Sequence, residues 1–114
     1  MLTDRRLPDE ALGFIQKSIR ERKVYWTYHV NMRLSGRHIS RDELFGAVDR
    51  YEVTELHTDD KYLPSHLVLA TPPGAVFHVL FAVDVDAGNV GVVTAYRPNP
   101  DDWESDLKTR RGQT

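Results

Sequence analysis

The chain has no cysteine, which removes disulfide scaffolds, thiolate metal sites and thiol nucleophiles together and suits a reducing, cytoplasmic setting. It has no apolar run of the roughly 18 residues a membrane helix needs. Charges enter every turn of the opening MLTDRRLPDEALGF, so no secretory leader is visible and no membrane partner is expected. No Gly/Ser linker, repeat or low-complexity stretch divides the sequence, and residues 1–114 read as a single domain. P-loop, GxGxxG and GxSxG patterns are missing, which removes the usual support for ATP, NAD and serine-hydrolase chemistry. Five histidines are present but no HExxH, His-x-His or calcium-loop spacing, so neither metal nor cofactor is expected.

What is present suffices for one core. The 114 residues are 40% hydrophobic and 28% charged, and a chain of this length buries roughly two-thirds of its unfolded surface. The net charge of −2 conceals a segregation along the chain. Residues 17–41 carry seven basic groups (Lys17, Arg20, Arg22, Lys23, Arg33, Arg37 and Arg41) against Glu21 alone. Residues 42–106 carry thirteen acidic groups against three basic ones. The basic block reads either as a polyanion-binding patch or as a solvated helix face.

Periodicity assigns helices to residues 8–50. Pro8, Asp9 and Glu10 open a helix whose Leu12, Ile15 and Ile19 share a stripe, ending in the cationic turn Arg20 to Lys23. Thr27 to Gly36 reads as a second, short helix. Ser40 and Glu43 form a capping box ahead of a third, with Leu44 and Val48 turned inward. The period then changes to that of strands at 51–57, 66–70, 75–84 and 90–97, joined by connections too short for parallel crossovers. The expectation is an α+β fold with N-terminal helices packed on a four-stranded antiparallel sheet over 51–97 and a C-terminal tail, 98–114, with little structure.

Candidate chemistry sits at three places. His29 and Arg33 are four apart on the second helix, with Arg37 just beyond, where imidazole and guanidinium could meet a phosphate; rim packing and ion pairing are the simpler account. His78 interrupts the most apolar strand and needs a hydrogen-bond partner from a neighbour or a ligand; the simpler account is a satisfied core histidine. Tyr96 and Arg97 close the last strand facing opposite ways, and Trp103 follows; the rings either stack on a base or cap the core.

These residues also carry a resemblance. The series His29-x3-Arg33, Arg37-His38-Ile39-Ser40, Tyr62-Leu63-Pro64-Ser65, His78-Val79, Thr94-Ala95-Tyr96-Arg97-Pro98 and Trp103 spans about residues 27–111. In that order it resembles the bacterial domain-of-unknown-function family four-two-five-eight, which in turn resembles the RelE/ParE-like toxin group. That group includes metal-independent ribonucleases, many held by an antitoxin. The resemblance implies an endoribonuclease of toxin–antitoxin type with RNA and an antitoxin-like protein as partners. His29 and His78 would transfer protons, Arg33 would stabilise phosphate charge and Tyr96 would position the substrate. Arg37, Arg97 and Trp103 would bind it. The alternative is a non-catalytic protein-binding module of the same fold. The sequence leaves oligomeric state open.

Overall fold

A computed structural model describes residues 10–27, 39–57, 63–73 and 76–111. Helix α1, Ala11–Arg20, begins one turn later than the acidic residues suggest because Glu10 is itself the cap, its carboxylate accepting from the Gly13 amide at 2.7 Å. The helix buries Ile15, Ser18 and Ile19 against the sheet. It stops abruptly. Arg22 adopts a left-handed φ of 60°, and the amides of Arg22 and Lys23 turn back to the carbonyls of Ile19 and Ser18 at 3.1 and 2.8 Å. This doubled closure sends the chain straight into a strand, at a strain of about 1–2 kcal/mol for a residue with a Cβ.

That strand, β1 (Val24–Trp26), is the main departure from the four-stranded antiparallel expectation. It lies within the segment assigned to helices and pairs in parallel with the last strand, making a five-stranded mixed sheet. Three residues are too few for an alternation to register, and the partner is remote in sequence. The N-terminal end of the second expected helix lies at Thr27, and its body, 28–36, falls outside the described residues. Helix α2, Arg41–Gly46, starts as expected with the Ser40 hydroxyl accepting from the Glu43 amide at 2.9 Å. A 3-10 turn, Val48–Arg50, replaces its last turn. Glu43 does not complete the reciprocal half of the capping box, because its carboxylate accepts from Arg97 at 3.0 Å.

Strands β2 (Tyr51–His57), β3 (Ser65–Ala70), β4 (Phe77–Asp84) and β5 (Asn89–Tyr96) follow as an antiparallel meander, giving the order β1-β5-β4-β3-β2. Alternation on β4 divides the sheet's faces as its sequence requires. Phe77, Val79, Phe81 and Val83 join Ile15, Ile19 and Leu44 in the main core on the helix side. His78, Leu80 and Ala82 look the other way. The β4–β5 hairpin turns at Gly88, whose φ of +74° suits a residue without a Cβ.

The tail is the second departure. Residues 98–111 fold back across the non-helical face instead of fraying: Trp103 is buried and forms a β-bridge with Arg110. Among the described residues no helix is long and apolar enough to cross a membrane.

Candidate functional site

The register builds the site. Glu52, Leu69, His78 and Tyr96 stand opposite one another on β2, β3, β4 and β5, forming one row across the non-helical face. Glu55 and Leu67 begin the next row. The 98–111 segment lies over these rows as a strap. Lys108 pairs with Glu52 at 2.9 Å, and Arg110 grips Glu55 with two parallel bonds of 2.7 and 3.1 Å. Trp103 meets the His78 ring edge-on at 4.5 Å, and Tyr96 meets it at 5.2 Å from the other side.

His78 has no solvent exposure and both ring nitrogens are engaged. Nε2 lies 2.9 Å from the Leu107 carbonyl, and Nδ1 lies 3.1 Å from the Tyr96 hydroxyl. A carbonyl only accepts, so Nε2 carries the proton. Nδ1 is then a lone pair in the neutral ring, and the Tyr96 hydroxyl donates to it. Burial pushes the His78 pKa below the usual histidine value, opposed in part by the Leu107 carbonyl and Glu55. Leu107 holds a left-handed φ of 60° to present that carbonyl, a conformation a branched hydrocarbon side chain adopts only when its surroundings impose it.

Around this centre the charges are matched. Arg110 hydrogen bonding holds the Glu55 carboxyl below its ordinary value despite partial burial, and His57 adds a bond at 3.0 Å. Arg110 also lies over the Trp103 ring, its guanidinium carbon 4.6 Å from the centroid. A cleft of about 500 Å³ opens beside the strap, lined by Tyr96, Arg97, Trp103, Arg110 and Arg111 with Asp101 and Asp102. Its arginines each meet an acid: Arg97 with Glu43, Arg110 with Glu55, and Arg111 with Glu104 at 3.5 Å. With two further aspartates lining it, the cleft is not a cationic trough. Trp103 is 2% exposed, so its face is not offered to a base.

Of the residues singled out by sequence, the structure brings His78, Tyr96 and Trp103 together and sends Arg97 to the helix side, as the alternation of Tyr96 and Arg97 requires. His29, Arg33 and Arg37 lie outside the described residues. The described part of the basic block is largely spent on internal contacts. Arg20 pairs with Asp49, Lys23 with Glu21, Arg22 caps α1 and covers Phe45, and Arg41 covers Trp26. Sequence reading missed Glu55, Leu107, Lys108 and Arg110. The readable signal was charge: a basic cluster in the tail faces an acidic β2.

A second buried histidine, His66, sits on the helix side of β3 opposite Leu56 and Phe81. Its Nδ1 has no hydrogen-bond partner among the described residues, and burial, then the charge of His57, lowers its pKa. Both histidines therefore stay neutral in the fold at pH values where the unfolded chain, near the ordinary value of about 6.5, takes up protons. Stability is thus expected to fall as pH drops below about 6.5, before Glu55 contributes its own loss below the ordinary carboxylate range. Urea midpoints measured at a series of pH values check this, and a flat profile through the histidine range would contradict the burial of both rings.

No curated protein and no solved structure matches the chain at a significant level. The family profile of DUF4258, a domain of unknown function, matches residues 26–97, from the end of β1 through Arg97, and so takes in the whole row from Glu52 to Tyr96 but not the strap. On that match the chain belongs to the DUF4258 family.

Proposed function

We propose that the chain is a non-catalytic protein-binding module. The observation that carries this reading is His78: a ring sealed from solvent, neutral and bonded at both nitrogens is occupied in holding the fold. A proton-transfer group must reach the reacting atom directly or through one water. The two exposed large hydrophobic side chains among the described residues, Tyr25 on β1 and Leu56 on β2, stand at opposite edges of the sheet, where a strand or loop of a partner gains backbone as well as apolar contacts.

The ribonuclease reading, a metal-independent enzyme of the RelE/ParE-like kind, rests on His29 and His78 for proton transfer, with Arg33, Arg37 and Tyr96. It is favoured by the four-residue sequence spacing of His29 and Arg33. One assay separates the readings. Purified protein incubated with RNA in EDTA is expected to leave the RNA intact. Cleavage that survives chelation and disappears in His29→Ala would reverse the assignment. Tyr25→Glu and Leu56→Glu, both exposed, are expected to change stability by less than about 0.5 kcal/mol while weakening capture of the partner.

A further inference from the structure

The strap carries a network of bonds of its own. Its internal bonds are local: Glu104 N–H to the Thr109 carbonyl at 2.7 Å, Leu107 N–H to the Glu104 carbonyl at 2.8 Å, and Arg111 N–H to the Asp102 carbonyl at 2.9 Å. Asp106 adds bonds to the amides of Lys108 and Thr109 at 2.9 and 3.1 Å. Its attachment to β5 runs through Pro98-Asn99-Pro100, which supplies few backbone donors. Bonds this local are too few to hold by themselves in water, so these amides lose protection once the strap leaves the sheet.

Its ties to the sheet are few. Lys108–Glu52 is an exposed ion pair, a kind that contributes little. Arg110–Glu55 is stronger in geometry but remains partly exposed on the arginine side. The contacts made without water are those at His78: the Leu107 carbonyl on Nε2 and the Trp103 ring against the imidazole. What ties the closed strap to a neutral imidazole is the exclusion of water from the ring, since the Leu107 carbonyl accepts from Nε2 in either protonation state.

The groups facing His78 divide over a positive charge there: burial and Arg110 oppose it, while the Leu107 carbonyl and Glu55 favour it and only partly offset the burial. From the strap, Arg110 already lies over Trp103, so a second cation would meet like charge where it touches the indole. From β2, Glu55 is the compensating anion, but Arg110 and His57 already share it. From β5, the Tyr96 hydroxyl would have to reverse from donor to acceptor, with Asp102 and Glu55 the acids nearest to it. From β3, the facing residue is Leu69, which offers nothing polar.

We propose that residues 98–111 form a proton-sensitive cover, held on the sheet while His78 is uncharged and lifted from it when the ring gains a proton. Lifting uncovers a band in which the acids Glu52 and Glu55 flank Leu69, His78 and Tyr96. The device stands whether or not the chain is catalytic.

Amide exchange, corrected for its intrinsic pH dependence, tests this on the intact chain across about pH 8 to 5. Protection of the Glu104, Leu107 and Arg111 amides is expected to drop several-fold on acidification while the amides of β4 keep theirs. His78→Gln is the informative variant, because its amide can donate to Leu107 and accept from Tyr96 yet cannot titrate. It is expected to keep the strap closed at acid pH. The proposal is overturned if strap and β4 lose protection together, or if His78→Gln opens over the same range as the natural chain. Should that variant not fold, the ring carbons of His78 in the natural chain decide: a shared midpoint with strap opening upholds the proposal, and separate midpoints overturn it.

Discussion

Trp103→Ala costs the fold about 3–5 kcal/mol, the range for emptying a buried indole site, and detaches the strap. The indole is 2% exposed and stands between the His78 ring and the Arg110 guanidinium. Its removal takes away the dry contact that leaves the Leu107 carbonyl and His78 a place to meet. Equilibrium urea unfolding measures the loss. If the strap comes away before the sheet melts, the loss read in urea is capped at the energy with which the strap docks. The remainder then appears as rapid exchange at Glu104 and Arg111. A change below about 1 kcal/mol, with strap amides still protected, would show that the tail contributes no packing.

His78→Leu is the second large effect. Leucine fills a similar volume and suits the apolar strand, yet it leaves the Leu107 carbonyl and the Tyr96 hydroxyl facing a hydrocarbon. At about 1–3 kcal/mol for each buried group left unmade, and with Tyr96 partly reached by water, the net cost is about 2–4 kcal/mol. The same variant separates a structural from a catalytic histidine. A structural ring shows its loss as a lower urea midpoint. A catalytic ring would leave stability untouched while abolishing RNA cleavage, and that pattern would return the ribonuclease reading to first place.

Much of the meander was legible because its strands announce themselves locally. The β4 stretch from Phe77 to Val83 is apolar on both faces apart from one histidine, and the DAGN turn after it needs Gly88. Capping chemistry likewise located α2 through Ser40. What escaped was non-local. β1 exists because Val24, Tyr25 and Trp26 find β5, and a three-residue segment carries no period to reveal that. The tail looked polar and loop-like because its role depends on one indole and on ion pairs with β2, 55 and 56 residues earlier. At the candidate site, the oddity of a histidine in a greasy strand was plain from sequence, but not what satisfies it. One partner is the neighbouring Tyr96, and the other is a backbone carbonyl, which no side-chain pattern encodes.

The parallel pairing of β1 with β5 ties the two halves of the chain in time as well as in space. Val24 and Val90 lie 66 positions apart, so the edge strand made early in translation has no seat until the last hairpin is complete. Late closure of so long a loop slows folding, and it makes the β3–β4–β5 hairpins the natural nucleus. A ribosome-bound chain halted before β5 would carry α1 with its apolar stripe uncovered. Cutting the gene ahead of Val90 should therefore disorder the N-terminal strand along with the C-terminal one.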